Sequence, residues 1–233
     1  MTAALLLLAA GVGSLVPSVP GLRRRRWRVL AGAAWALAAA ALGVWGLGMA
    51  PPASAAAAAV SALWWALSAC APPSAPARLI AGDALLAVAV AAALVWPLPT
   101  GAGTLAGPPL LVAVPGVLIL LGPAANRLVG AVLASVRVGP APARTGERPE
   151  RRISRLRGGR VIGPLERLLI VGLALSGAET AIAAVIAAKG IVRFPEISRD
   201  NAGDAAEEFL IGSMTSWLVA GLAAAALHGL QNY

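Results

Sequence analysis

Glu179 is the residue of this chain whose surroundings most favour chemistry. It lies inside an otherwise apolar stretch, LLIVGLALSGAETAIAAVIAAK, ten residues before Lys189. A carboxylate in the middle of a membrane helix costs about 2.5 to 3.5 kcal/mol on insertion scales, and such residues face a bundle interior or a cavity. Burial favours the protonated acid, which can donate a hydrogen bond to another helix. Three roles stay open: a structural hydrogen bond, a proton or ion relay, and a contact with a partner or ligand.

Charged residues flank the same stretch on both sides. Arg160, Glu166 and Arg167 lie near its start, and Lys189 and Arg193 lie at or beyond its end. Long charged side chains at such positions can extend along the helix to the lipid headgroups. The spacing therefore predicts that these five residues are interfacial anchors, with the first three at one membrane face and the last two at the other.

Small residues form a stripe along the same predicted helix. Gly172, Ser176, Glu179 and Ala183 recur at steps of three or four, which places them on one helix face. Small residues let helix backbones approach closely in lipid. The final apolar stretch carries a matching stripe, so the last two apolar stretches are predicted to pack together. The stripe of the final stretch consists of Gly212, Ser216 and Ala220.

The sequence predicts no catalytic residue, no metal site and no cofactor. No Cys, Asp or second His lies near His228 in the sequence, and the single Cys70 cannot form an internal disulfide. The pair Gly158-Gly159 lacks the strand and helix of a phosphate-binding loop. Two acids, Glu207 and Glu208, precede an apolar helix, where the helix dipole alone explains their favourable position.

The elements that position these residues follow from the composition. Hydrophobic residues make up 59% of the chain and charged residues 12%, and the mean hydropathy is +0.80. Apolar stretches of about 18 or more residues are typical of membrane-spanning helices. We therefore expect an all-α, polytopic transmembrane bundle of about seven helices. The apolar stretches are 3–19, 29–49, 53–71, 79–96, 110–136, 161–188 and 209–227.

The distribution of positive charge predicts the orientation. With the N-terminus outside, the three inner connections contain fourteen Arg, whereas the outer connections contain only Lys189, Arg193 and Arg199. Positively charged loops stay on the cytoplasmic side, so the expected topology has the N-terminus outside and the C-terminus inside. The net charge of +9 therefore indicates orientation and anionic lipid headgroups, bound at Arg23–Arg28 and 137–160. It does not indicate nucleic-acid binding.

The chain divides into three parts. Residues 1–136 form an N-terminal membrane region of about five apolar helices, and Pro115 and Gly122-Pro123 predict that the fifth is kinked or broken. Residues 137–160 are rich in Arg, lack apolar periodicity and predict a cytoplasmic linker. Residues 161–233 form a C-terminal two-helix module with an outer loop at 189–208.

Three motifs between about 122 and 226 resemble a functionally uncharacterised bacterial and phage membrane-protein family. The motifs read G-R-x-I-G-x-L-E-R, A-A-K-x-I-x-R-F and I-G-[ST], and an apolar helix with a Gln stands between the first two in that family. Here Glu179 stands near that Gln, which implies hydrogen bonding as the shared requirement. The matching residues are Gly159, Arg160, Ile162, Gly163, Leu165, Glu166, Arg167, Ala187, Ala188, Lys189, Ile191, Arg193, Phe194, Ile211, Gly212 and Ser213.

The leading functional hypothesis is a scaffolding or interaction role in the membrane, as a subunit or partner of a complex or as a homo-oligomer. The alternative is a small proton- or ion-coupled transporter or channel component that uses Glu179. A third hypothesis, a membrane enzyme acting on lipid-linked substrates, depends on the polar segment Lys189–Glu208. The abundance of Ala, Gly, Pro and Arg is typical of a bacterial genome rich in G and C, so the predicted location is the bacterial cytoplasmic membrane.

Overall fold

The computed structural model describes residues 1–15, 25–71, 75–96, 109–136, 159–198 and 204–231, and these ranges form an all-helical bundle. Three helices are long and apolar enough to cross a membrane: Pro76–Val95, Pro109–Val136 and Ala206–Gln231. The predicted all-α class is confirmed for the described residues. In chain order the helices are α1 (Thr2–Gly13), α2 (Arg25–Ala41, extended by a π-helical turn at Leu42–Gly46), α3 (Pro51–Trp64, extended by a π-helical turn at Trp65–Ala69), α4 (Pro76–Val95), α5 (Pro109–Val136), α6 (Gly159–Leu175), α7 (Glu179–Ile197) and α8 (Asp204–Gln231).

Helix α1 lies at the centre of the bundle. Its twelve residues span about 18 Å, less than the hydrocarbon thickness of about 30 Å. Most of its side chains are buried, as expected for a helix that is apolar on every face. It crosses α5 so closely that Gly116 has no room for a Cβ against the Leu7 carbonyl, and Gly11 has none against Gly116. Residues 16–19 of the first predicted stretch lie outside the described residues.

Helix α5 has a kink at its midpoint. Gly122 has a non-helical backbone with φ −89° and ψ −105°, and Pro123 follows it. Because proline has no N–H and its ring clashes with the preceding turn, the helical hydrogen-bond pattern is interrupted there. The N–H of Ala125 donates to the carbonyls of Gly122 and Leu120. The Leu121 carbonyl thereby loses its usual intrahelical donor and is available to another group.

The sixth apolar stretch is two helices, so the prediction of a single helix over 161–188 is wrong. Helix α6 ends at Leu175, and Gly177 adopts a left-handed conformation with φ 73°. The Ala178 N–H donates to the Leu173 carbonyl at 2.9 Å, and the Gly177 N–H donates to the Ala174 carbonyl at 3.3 Å. This pair of bonds is a Schellman C-cap, which favours glycine at the left-handed position. The chain then reverses into α7.

The predicted outer loop at 189–208 is also corrected. Helix α7 continues through Pro195 to Ile197, and α8 begins at Asp204, so most of that segment is helical. Proline inside a helix removes one hydrogen bond without ending the helix when the surrounding turns hold. The connection between α7 and α8 is therefore much shorter than the sequence pattern suggested.

Helix α8 runs parallel to α4 and antiparallel to α5. Its early residue Gly212 lies against Val129 and Leu133 near the end of α5, and its late residue Gly229 lies against Leu94 near the end of α4. The start of α8 is therefore at the end of the bundle where α5 finishes. The end of α8 is at the opposite end, beside the end of α4.

Candidate functional site

Arg167 is the central residue of the site. Its side chain is 1% exposed and donates three hydrogen bonds to neutral oxygens. The Nε atom donates to the Leu121 carbonyl at 2.7 Å, Nη1 to Ser216 Oγ at 3.0 Å, and Nη2 to Asn126 Oδ1 at 2.5 Å. The kink in α5 supplies the Leu121 carbonyl. A planar guanidinium offers its donors in a fixed fork, which suits three acceptors on two neighbouring helices.

Glu166, the residue before Arg167 on α6, completes the site. Its Oε2 atom accepts a hydrogen bond from Lys189 Nζ at 2.6 Å, which is an ion pair, and its Oε1 atom accepts one from Trp217 Nε1 at 2.7 Å. The Lys189 ammonium lies 5.5 Å from the centre of the Trp217 ring and 6.0 Å from that of Phe209. Cation–π attraction therefore adds to the ion pair. We call the side chains of Asn126, Glu166, Arg167, Lys189, Ser216 and Trp217 the charge network.

The hairpin explains how Glu166 and Lys189 meet. The two residues are 23 positions apart, and a continuous helix would separate them by about 35 Å. The reversal at Gly177 places Glu166 and Lys189 at matching heights on α6 and α7, and their side chains touch. The ion pair is therefore possible only because the helix breaks.

The charge network lies in the middle of the bundle. Leu121 is close to the midpoint of α5, and Ser216 is close to the midpoint of α8. Glu166 and Arg167 were predicted to anchor one membrane face and Lys189 the other, so this part of the anchor prediction is corrected. Arg193 lies one turn after Lys189 on α7 and is partly exposed, and the side chain of Arg160 is outside the described residues.

Glu179 does not lie in the middle of a helix. It is the first residue of α7, its side chain is exposed, and it stands at the tip of the α6–α7 hairpin. An acid in the first turn interacts favourably with the helix dipole. The residue that the sequence singled out as the intramembrane ionisable group is therefore at the helix end, and Glu166, Arg167 and Lys189 occupy the interior instead.

The predicted packing stripe is divided between the two arms of the hairpin. Gly172, Ser176 and Ala183 are exposed, and a Cβ on Gly172 would meet nothing within 4 Å. In α8 the partner stripe packs inward: Ser216 and Ala220 are buried. Helices α6 and α8 do pack together as expected, and the charge network joins them; Ile170 and Val171 of α6 are buried in the hydrophobic core. The face of the hairpin that carries these small residues packs against no other helix in the described chain.

A second polar cluster lies between α3 and α4. Asp83 Oδ1 accepts hydrogen bonds from Trp64 Nε1 at 2.8 Å and from Ser68 Oγ at 3.0 Å. Nearby, Arg127 Nη1 donates to the carbonyl of Ser14 at 3.0 Å, just after the last residue of α1. A cation at a helix C-terminus compensates the dipole and the unpaired carbonyls.

Sequence reasoning missed Asn126 and Trp217 as members of the charge network, and it missed the Leu121 carbonyl as an acceptor for Arg167. The signals were present: Gly122-Pro123 predicts a kink with a freed carbonyl, and Ser176-Gly177 is a typical helix stop. Treating 161–188 as one apolar stretch hid the reversal, because the average hydropathy remains high across the break.

The charge network satisfies the polar groups that it buries. Glu166 has a partner on each carboxylate oxygen, and the Arg167 guanidinium is held from three directions. In a medium of low dielectric constant such a network fixes helix positions strongly, whereas a partly satisfied one destabilises the fold. The arrangement is suited to holding helices together more than to moving a proton.

Comparison of the chain with protein-family models, with curated proteins and with solved structures gave no match.

Proposed function

We propose that this chain is a multi-pass protein of the bacterial cytoplasmic membrane with a scaffolding or interaction role, acting as a subunit or partner of a membrane complex. The observation that carries the proposal is the charge network, which fixes the α6–α7 hairpin to α5 and α8. Because Arg167 is buried and all three of its hydrogen-bond acceptors are neutral, we assign it a structural role. The hairpin is therefore a rigid element that can present its other face to a partner.

The outward face of the hairpin has the features of a helix-docking surface. Around Gly172 and Gly190 there is open space, so another helix could approach the backbone closely. Bulky residues beside this surface are also unpartnered in the described chain: Ile191 and Val192 are each 74% exposed and Phe194 is 66% exposed. We infer that a protein helix, from a partner or from a second copy, covers this face.

A photo-crosslinking amino acid at Ala183 tests the interaction role. We expect ultraviolet light to produce one discrete band of higher mass in native membranes, because the side chain at 183 faces the docking surface. The matched control is the same amino acid at Leu37, which is 73% exposed on α2 and faces lipid in the proposal. Mass spectrometry of the band identifies a partner or a second copy. Equal smears from both positions, or no band from 183, would contradict the proposal.

We further propose that the termini lie on the same, outer side of the membrane. The hairpin enters and leaves at one end of the bundle, so α8 crosses in the direction opposite to that of the seven-helix prediction. The three positive residues that the earlier topology left outside, Lys189, Arg193 and Arg199, then lie in the bundle or on the inner side. None of the nineteen Lys and Arg residues remains in an outer connection, which agrees better with the positive-inside rule.

Residues of the motifs that resemble the uncharacterised membrane-protein family meet in the charge network. Glu166 and Arg167 belong to its first motif and Lys189 to its second, and the three side chains belong to one network. We propose that the shared motifs encode the α6–α7 hairpin and the charge network that holds it. The arginines at 23–28 and 137–160 would hold the inner face against anionic headgroups; their side chains lie largely outside the described residues.

A transporter that uses Glu179 is the alternative function. The exposed position of Glu179 at the hairpin tip favours a solvated carboxylate over a buried relay. We therefore expect Glu179→Gln to assemble normally and to leave proton flux in a reconstituted-vesicle pH assay unchanged. Loss of flux in a correctly assembled Gln variant would support the transporter instead. The lipid-enzyme hypothesis is weaker, because Lys189, the first residue of its polar segment, is engaged by Glu166.

A further inference from the structure

We propose that the cleft between α4, α5 and α8 binds one acyl chain of a membrane lipid with a primary ammonium headgroup, of the phosphatidylethanolamine class, and that Asp83 receives the ammonium.

The cleft has the lining and size for hydrocarbon. Its volume is about 240 Å³, and apart from Asp83 every lining residue is Ala, Val or Leu. An apolar cavity of about 150 Å³ is already large enough for benzene, so this cleft can hold a segment of an acyl chain. Its walls include Leu86, Val90, Val117, Leu120, Leu222 and Ala226.

The cleft opens sideways, between two helices that are long enough to cross a membrane. Ala91 on α4 and Leu222 and Ala225 on α8 line it and are exposed. Because these rims face the surroundings of the bundle at the level of the acyl chains, a ligand reaches the cleft from the bilayer. The occupant is therefore a lipid in preference to a water-soluble molecule.

Asp83 provides the selectivity for an ammonium group. Both of its hydrogen bonds, from Trp64 and Ser68, go to Oδ1, and Oδ2 accepts none from the residues that the structure describes. A carboxylate that borders a cleft with a free oxygen is a strong acceptor, and a primary ammonium carries three donors. The quaternary ammonium of phosphatidylcholine has no N–H donor, so it cannot form the hydrogen bond that a primary ammonium donates to Asp83.

Arg127 makes the polar end of the cleft complementary to a zwitterionic headgroup. The Arg127 and Asp83 side chains form no ion pair within 4 Å in the described chain, and Arg127 Nη1 donates to the Ser14 carbonyl. Arg127 follows the cleft-lining residues Ala124 and Ala125 on α5. In the proposal, Asp83 binds the ammonium of the lipid headgroup and Arg127 attracts its phosphate. Asp83 lies seven residues, or about 10 Å, along α4 from its first residue, toward the end that carries the arginine-rich connections.

The test uses the purified full chain in phosphatidylcholine nanodiscs that contain an equal fraction of phosphatidylethanolamine with identical acyl chains. Native mass spectrometry measures which lipid stays bound after release. We expect phosphatidylethanolamine to be retained about tenfold over phosphatidylcholine, the size expected for hydrogen bonds to a charged group. Equal retention of the two lipids by the wild-type chain would overturn the proposal.

Two variants separate the roles of the carboxylate and the cleft. Asp83→Asn keeps the shape and the Oδ1 acceptor, and it should remove the preference for phosphatidylethanolamine. Val90→Trp fills the cleft and should remove retention of both lipids, whereas Val88→Trp, on the exposed side of the same helix at 66% exposure, should change neither. An unchanged preference in Asp83→Asn refutes the role of Asp83, even if Val90→Trp fails to fold. These results are independent of the crosslink from position 183.

Discussion

Arg167→Met is expected to destabilise the folded bundle by about 3 kcal/mol, because it removes the donor of three buried hydrogen bonds. The substitution leaves the Leu121 carbonyl, Ser216 and Asn126 without their donor. Each unsatisfied buried group costs about 1 to 3 kcal/mol. Against this, an apolar side chain avoids the cost of about 2.5 to 3.5 kcal/mol for an arginine at the membrane centre, so the net loss is about half of the summed cost of the three unsatisfied groups.

The stability of Arg167→Met is measured by thermal unfolding of the protein in mild detergent. Arg78→Ala is the matched control, because Arg78 is an exposed arginine with one long hydrogen bond, 3.5 Å, to the Ala66 carbonyl; we expect a change within about 0.5 kcal/mol. Arg167→Lys should also destabilise, since an ammonium cannot reproduce the planar fork. A melting temperature of Arg167→Met equal to that of the wild type would show that the network does not hold the hairpin.

A compensated variant distinguishes lost hydrogen bonds from lost packing. When Arg167→Met is combined with Asn126→Leu and Ser216→Ala, two of the three orphaned acceptors disappear. Replacing all partners of a polar network by apolar groups is often close to neutral. We therefore expect the triple variant to recover most, but not all, of the stability, because the Leu121 carbonyl still lacks its donor.

The sequence was sufficient to predict the helical class and the kink region of α5, because both depend on local features: long apolar stretches and Gly122-Pro123. The sequence also predicted that the last two apolar stretches pack together. It did not predict the hairpin, although Ser176-Gly177 is a typical helix stop, because an average over an apolar stretch gives no weight to a single glycine. The choice between a glycine inside a helix and a C-cap depends on what the following residues contact.

The identity of the interior charges could not be read from the sequence for a related reason. In a continuous helix Glu179 is central and Glu166 and Lys189 are peripheral, whereas in a hairpin the assignment is reversed. One backbone dihedral, the positive φ of Gly177, decides between the two. Asn126 and Ser216 are also separated from Arg167 by more than 40 positions, and no short spacing signals an interaction of that range.

The reversal at Gly177 places the two ends of α8 on the opposite sides of the membrane from those that a single helix over 161–188 predicts. In a background without Cys70, single cysteines replace Gln231, at the end of α8, and Ser198, just after α7; both positions are exposed. We expect a membrane-impermeant maleimide to label Gln231→Cys in cells or spheroplasts with an intact cytoplasmic membrane, and to label Ser198→Cys only after permeabilisation. The physical reason is that, in the proposed topology, α6 and α7 enter and leave on the arginine-rich inner side, so α8 starts there and ends outside.

Two reference cysteines make the labelling pattern decisive. Trp96→Cys, at the outer end of α4, should behave like Gln231→Cys, and Val136→Cys, at the inner end of α5, should behave like Ser198→Cys; both native side chains are exposed. A single helix over 161–188 predicts that Ser198 is outside and Gln231 is inside. It leaves the two reference cysteines on the same sides as the hairpin topology does. If Ser198→Cys is labelled together with Trp96→Cys while Gln231→Cys is protected, the hairpin is absent in the membrane. The contact between Glu166 and Lys189 would then be impossible, because about 35 Å of helix would separate them.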